Sequence, residues 1–323
     1  MRRRDFLKVI AGLGAWPLAA SAQQRAMLVI GFLSGWSSGD SVEYLEYFRR
    51  GLAESGYVEG RNIAIEFRYA EGRFERLPEL VAELVERRVN VIAIPNTTAS
   101  AFAAKAATQT IPLGSNPVEV GLVTSLSRPG GNLTGLTALQ TAVTAKRLEI
   151  VHELLPNATR IAFLVNPVNR ALAEADTKEA RETARNLGLN LFVLNASSPS
   201  EIDAAFATLV REQTDALLTN SESYFMIQRD QLAALAARHA VPTMYAFREN
   251  ALAGGLMSYG SNFLHATRRL GLYTGRVLNG EKPADLPVQQ ATDIELIINQ
   301  KAAKALGINV PQALISRADE VIE

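Results

Sequence analysis

The sequence predicts an α/β protein of two doubly wound parallel-sheet lobes, and three observations carry that prediction. Short, wholly apolar runs such as Met27–Leu33 suit strands buried on both faces. Amphipathic stretches of about 10 to 17 residues separate them, the spacing of βα units. The βα series runs twice, with a break near Leu139–Thr144, in a chain of 323 residues. One domain usually takes about 100–200 residues.

The first series opens with the strand at Met27–Leu33. Tyr44, Leu45, Phe48 and Leu52 recur at helical spacing across Ser41–Gly56, and Gly56 stops that helix. Ile63, Ile65 and Phe67 alternate with polar residues in a strand over Asn62–Tyr69. Leu77, Leu80, Val81, Leu84 and Val85 stripe a helix over Phe74–Arg88. A strand at Val89–Pro95, an Ala-rich helix at Thr97–Thr108, a strand at Ile111–Ser115, a helix at Val118–Ser127 and a strand at Leu133–Leu136 follow.

The second series predicts helices at Thr144–Leu155, Ala171–Leu187, Glu201–Gln213 (capped by Ser200), Gln228–His239, Asn262–Leu278 and Ile294–Leu306. Strands are predicted at Arg160–Val165, Asn190–Leu194, Ala216–Thr219, Val241–Tyr245, Gly255–Tyr259 and Leu286–Gln290. Val310–Glu323 reads as mixed.

Composition excludes several functions. There is no cysteine, which removes disulfides, thiolate catalysis and Fe–S clusters. Lys+Arg and Asp+Glu both number 33, and no basic stripe marks a nucleic-acid partner. No metal or cofactor is expected, because only His152, His239 and His265 are present and no ligand spacing stands out.

Residues 1–22 read as an export signal. Arg2, Arg3, Arg4 and Lys8 form a basic head, Val9–Ala20 is mostly apolar, and Ala20-Ser21-Ala22 is a small-x-small cleavage site. The apolar run is shorter than the roughly 20 residues of a membrane span. Arg3-Arg4-Asp5-Phe6-Leu7-Lys8 resembles the twin-arginine consensus; the general export route is the alternative. Cleavage removes four basic residues and one acidic residue, leaving a net charge of −3. The expected location is the periplasm.

Open parallel sheets bind ligands beyond the carboxyl ends of their strands. Those positions hold Ser34 and Trp36, then Thr97 and Thr98, then Ser115 and Asn116 in the first series. In the second they hold Asn166 and Asn169, Asn220, Ser221 and Glu222, Tyr245, and Tyr259. Hydroxyls, amides and helix-start N–H groups suit a small neutral or carboxylate ligand. Helix N-caps favour the same residue types, so each loop alone also fits a capping role. Trp36, Tyr224, Tyr245, Phe247 and Tyr259 are candidates to stack on a planar ligand, or to fill the core. Glu222 and Glu249 are candidates to meet a ligand ammonium, or to be solvated.

Enzyme signals are weak. Gly12-Leu13-Gly14 falls within the signal, Gly130-Gly131-Asn132 follows a helix, and there is no Gly-x-Ser-x-Gly elbow. His152 and His239 sit near helix C-termini, where a cation is favoured, and His265 near a helix start.

Five longer stretches carry a family resemblance. They are Gly51-Leu52-Ala53-Glu54-Ser55-Gly56-Tyr57-Val58-Glu59-Gly60-Arg61-Asn62, Ser127-Arg128-Pro129-Gly130-Gly131-Asn132-Leu133-Thr134-Gly135 and Gly254-Gly255-Leu256-Met257-Ser258-Tyr259-Gly260. Lys282–Gln290 and Arg317–Glu323 complete the set. Together they resemble the ABC-transporter substrate-binding proteins of the tryptophan/tyrosine-binding kind. The resemblance implies a type I periplasmic binding fold, its two lobes joined by a three-strand hinge and the ligand in the cleft between them. It implies crossings near Leu139–Thr144, Tyr259–Phe263 and Leu286–Thr292. One lobe would then hold 27–141 plus about 263–288, and the other 142–262 plus about 289–323.

The expected function is that of a monomeric solute-binding component of an importer. It would capture a small organic molecule (an amino acid or a small aromatic or carboxylate compound), close about the hinge, and dock on an ABC permease in the inner membrane. No bond is made or broken. A ligand sensor for a membrane receptor, and an enzyme on the same scaffold, remain open alternatives; nucleosides and sugars remain open as ligands.

Overall fold

A computed structural model describes residues 27–95, 97–109, 122–123, 125–138 and 140–323. In chain order it forms β1 (Leu28–Ser34), α1 (Val42–Glu54), β2 (Ile63–Tyr69), α2 (Leu77–Glu86), β3 (Val91–Ala93), α3 (Thr98–Ala107) and β4 (Leu136–Ala138). Then come α4 (Gln140–Leu154), β5 (Arg160–Val165), α5 (Arg170–Asn186), β6 (Asn190–Asn195), α6 (Pro199–Arg211), β7 (Ala216–Thr219), α7 (Ser223–Ile227) and α8 (Arg229–Arg238). The remainder is β8 (Thr243–Tyr245), α9 (Arg248–Leu252), β9 (Met257–Ser261), α10 (Phe263–Leu278), β10 (Gln289–Ala291), β11 (Ile294–Asn299), α11 (Gln300–Ala305), α12 (Gln312–Ile315) and β12 (Glu320–Ile322).

These elements form two lobes. The first has the strand order β2-β1-β3, with β10 and β4 paired separately. The second has one seven-stranded sheet, β12-β11-β9-β8-β7-β5-β6. Every pairing is parallel except β11 with β9. The chain passes between lobes three times: from β4 to α4, from β9 to α10, and from β10 to β11.

Side-chain alternation along each strand builds a core on both faces of each sheet. On β5, Ile161, Phe163 and Val165 pack with Leu148 and Val151 of α4 and Ala180 and Ala184 of α5. Ala162 and Leu164 point the other way, to Ile202, Phe206 and Leu209 of α6 and Leu232 of α8. On β1, Leu33 joins Leu77, Val81 and Leu84 of α2, while Ile30 and Phe32 join Phe48 and Leu52 of α1 and Leu270 of α10. Helices α1 and α10 approach closely through facing glycines. A Cβ on Gly51 would lie 1.8 Å from the Arg268 carbonyl oxygen, and one on Gly271 2.2 Å from that of Phe48.

The structure corrects several expectations. Ile294–Leu306 is not one helix: Ile294–Asn299 is strand β11, antiparallel to β9, and only Gln300–Ala305 is helical. The Ile294, Ile297 and Ile298 side chains suit a pleated surface, and β9 supplies a ladder that local sequence does not reveal. Helix α6 is capped by Ser198, not Ser200; Ser198 Oγ accepts the Glu201 N–H at 3.3 Å. Pro199 then takes the first helical turn, where its missing N–H costs nothing. The helix expected from Thr144 begins at Gln140. The strands expected at Leu133–Leu136 and Leu286–Gln290 are displaced to Leu136–Ala138 and Gln289–Ala291, where they pair with each other. The strand at Ile111–Ser115 lies outside the described residues, as does most of the helix at Val118–Ser127; Leu122, Val123 and Ser125–Ser127 are not helical.

Candidate functional site

The carboxyl ends of β5 and β7 bring three predicted residues together. Glu222 is buried at the N-terminus of α7, where its carboxylate accepts the Tyr224 N–H at 2.7 Å and hydrogen bonds from the Asn169 and Asn166 side chains. Asn166 Oδ1 accepts the Val168 N–H at 3.0 Å, which leaves its Nδ2 as the donor to Glu222. Burial pushes the Glu222 carboxyl above its ordinary range, and these donors only partly offset that.

Asn220, two residues before, is wholly buried, and among the described residues neither its Nδ2 nor its Oδ1 has a hydrogen-bond partner. An unmatched buried amide costs about 1–3 kcal/mol, so the position asks for an explanation. Ser221, between them, donates its N–H to Asp176 Oδ2 at 3.2 Å and accepts from Arg147 Nη2 at 2.9 Å.

In the first lobe, Ser34 is buried at the end of β1, 3.2 Å from the Ser41 hydroxyl, and its Oγ accepts the Trp36 N–H at 3.1 Å. Thr97 caps α3 by accepting the Ser100 N–H at 3.2 Å, and Thr98 is half-buried as the first helical residue. Ser115 and Asn116 lie outside the described residues.

The aromatic candidates divide. Trp36 packs edge-on to Tyr44 with ring centroids 4.7 Å apart, in a cluster with Met226, Ala246 and Phe247 of the other lobe. Its indole Nε1 is buried without a partner among the described residues. Tyr245 lies in the core of the second lobe, with Tyr224 and Phe225. Tyr259 is half-buried against the core below β5. His265 is exposed, 3.5 Å from Asp293.

Two polar bridges cross the cleft beside Trp36. The Tyr44 hydroxyl donates to Glu249 Oε1, and Arg229 Nη2 donates to Asp40 Oδ1 at 2.7 Å. In the second lobe, the charged Arg147 and Asp176 are buried with Thr144 and Ser221 in one hydrogen-bonded network. Sequence reading missed Arg147 and Asp176, but a signal was present. Arg147 shares a helical stripe with Val143, Val151 and Leu154, and Asp176 shares one with Ala173, Ala180 and Ala184. A charge on an otherwise apolar stripe is the mark of a buried charge.

A separate groove of about 910 Å³ runs along α5 and the edge strand β6, lined by Arg170, Lys178, Arg181, Leu191 and Val193 among others; no predicted site residue lines it. Among the described residues, no helix is long and apolar enough to cross a membrane, and no cluster of side chains has the makings of a metal site.

Comparison with known proteins agrees with this architecture. A tyrosine-binding protein of Clostridioides difficile (strain R20291) is 28% identical over 263 residues, covering 80% of this chain and 75% of the relative. A conserved domain protein from Vibrio cholerae O1 biovar El Tor superposes with a TM-score of 0.84 at 25% identity, covering 91% of this chain and 99% of the other. An ABC domain from Streptococcus pneumonia, solved in complex with L-Trp, gives the same TM-score of 0.84 and the same coverage at 24% identity. The family model for ABC transporter substrate binding proteins matches residues 30–322. With nearly the whole described chain matched and the two-lobed fold in place, the chain belongs to the ABC transporter substrate-binding protein family.

Proposed function

We propose that this protein is the solute-binding component of an ABC importer and that it captures a free amino acid, aromatic ones foremost, in the cleft between its lobes. The carrying observation is the buried polar end of β7: Asn220, with both amide atoms unmatched among the described residues, next to the Glu222 carboxylate. Glu222 receives the ligand ammonium, and Asn220 supplies a donor and an acceptor to the same ligand. Ser34, Thr97 and Thr98 are the proposed contacts from the first lobe, and Ser115 and Asn116, outside the described residues, are proposed with them. Trp36, Tyr259, Asn166, Asn169 and Ser221 complete the proposed surround, while Tyr245 belongs to the core of the second lobe. The printed ligands of two relatives, tyrosine and L-Trp, support the choice of an aromatic amino acid.

Closure about the three crossings completes the site, and contacts made only in the closed form set the affinity. The Tyr44–Glu249 and Asp40–Arg229 bridges support this. The proposed lobe division follows residues 27–141 with about 263–291, and 142–262 with about 292–323; β10 pairs with β4 and so stays with the first lobe, past the expected boundary near 288. Residues 1–22 direct export to the periplasm by the twin-arginine route and are removed. The mature protein is a monomer, docks on an inner-membrane permease, binds no nucleic acid and catalyses no reaction. Native mass spectrometry of a chain starting at Gln23, followed by denaturing release, tests the reading. A stoichiometric aromatic amino acid supports it, and a released nucleoside or sugar overturns the ligand class.

A further inference from the structure

Arg147 is wholly buried on α4, the first helix after the first crossing. Its guanidinium reaches two places at once. Nε donates to the Tyr259 carbonyl at 2.7 Å, on β9 and three residues before Asn262, where the chain leaves for the other lobe. Nη2 donates to Ser221 Oγ at 2.9 Å, in the loop between Asn220 and Glu222. Nη1 lies 3.4 Å from Thr144 Oγ1. The balancing charge, Asp176, is also wholly buried and accepts the Ser221 N–H at 3.2 Å and the Thr144 hydroxyl at 3.5 Å. Both charges thus hold Ser221, Arg147 through its hydroxyl and Asp176 through its backbone N–H.

Burying a cation in this way is expensive; well-packed apolar residues commonly replace buried pairs without loss of stability. What apolar residues cannot do is span two backbone segments with a planar fork of donors. The backbone of β9 next to the fork is tightly packed. A Cβ on Gly260, next to Tyr259, would lie 2.1 Å from the Ala246 carbonyl oxygen and 3.8 Å from Arg147 Nη2, so β9 passes the second lobe's loops with no slack.

We propose that Arg147 is a positioning residue that locks the Asn220–Glu222 loop to the hinge strand β9, so that the ligand-facing groups and the hinge move as one unit. The ligand side of this inference rests on the function proposed above; the mechanical side does not. In the ligand-free protein, the loop and the hinge strand open together. In the ligand-bound protein, contacts to Asn220 and Glu222 are transmitted to the crossing at Asn262.

The test uses Arg147→Lys, which keeps the charge and loses the fork, and Arg147→Met/Asp176→Asn, which removes both charges and leaves neither unpaired. Hydrogen exchange on the ligand-free protein is followed at 220–224, at 258–262 and in β5. The expected result is about tenfold faster exchange in both 220–224 and 258–262 with β5 unchanged. Adding Ser221→Ala to Arg147→Lys is expected to change 258–262 no further, because the link is already cut. Exchange that stays unchanged in either segment, or rises evenly through the second lobe, overturns the inference and makes Arg147 a packing residue. L-tyrosine affinity by calorimetry is the second arm, with a loss of about tenfold expected in both variants. If the unmodified protein binds no L-tyrosine yet the two segments respond together, the positioning role stands and the ligand assignment falls.

Discussion

The Tyr44 hydroxyl donates a hydrogen bond to the Glu249 carboxylate, joining α1 to α9 across the cleft and across 205 positions of sequence. Burial pushes the Glu249 carboxyl above its ordinary 4.5, outweighing the Tyr44 hydrogen bond and the Arg248 charge, which pull it down; Glu295 adds to the rise. A carboxyl raised in this way contributes its full stability below its ordinary value and loses it as pH rises through the folded value. Glu249→Gln keeps an acceptor for Tyr44 and carries no charge. It is expected to gain on the wild type in thermal unfolding temperature as pH rises from about 4 to about 8, with the smallest difference at the acid end. A difference that does not vary with pH contradicts this.

Trp36 is a built-in reporter of that contact. In a chain that starts at Gln23 it is the sole tryptophan, and it is buried between the lobes. Tyr44→Phe and Asp40→Ala each remove one bridge, so their Trp36 emission is expected to move to longer wavelength as the lobes part. Hydrogen bonds involving a charged partner are worth about 1.5–3 kcal/mol, enough to move a closed population measurably. Emission unchanged in both variants would show that the bridges do not hold the lobes together.

Asn220→Leu separates stability from function. The substitution is close in size and removes a buried amide that has no partner among the described residues. Thermal stability is expected to hold or to rise by about 1 kcal/mol, while ligand affinity falls at least about tenfold. A drop in stability with affinity intact would mean that the amide serves the fold alone.

Much of this architecture was legible because burial writes a pattern. Arg160–Val165 and Ala216–Thr219 were readable to the residue, being apolar runs closed by polar loops. Strand β11 was not, because its partner β9 lies more than 30 residues away and the run of Ile and Leu fits helix or strand equally. The five-residue helices α7 and α9 were missed for want of length to show a period. At the site, the Asn166, Asn169 and Glu222 grouping follows from strand ends that a parallel sheet sets side by side. The cross-cleft partners Tyr44, Asp40 and Arg229 do not, since the pairing depends on how two lobes meet rather than on any local spacing.

The α1–α10 contact tolerates no added atom. Gly51→Ala places a methyl against the Arg268 carbonyl of α10, and two backbones must separate to admit it. Overpacking of this kind costs about 1–3 kcal/mol, which is expected as a lower urea midpoint with an unchanged slope. A midpoint equal to the wild type would mean that the helices lie farther apart than described.

The proposed function requires a free aromatic amino acid to be held between the lobes against the Asn220–Glu222 loop. Titration calorimetry of L-tyrosine and L-tryptophan into the chain starting at Gln23, beside its Asn220→Leu variant, tests it most directly. One-to-one binding of at least one of the two is expected in the wild type, with a shift in Trp36 emission, and a marked loss in the variant. Absence of heat and of any emission change with both amino acids, or equal affinity in the variant, would contradict it.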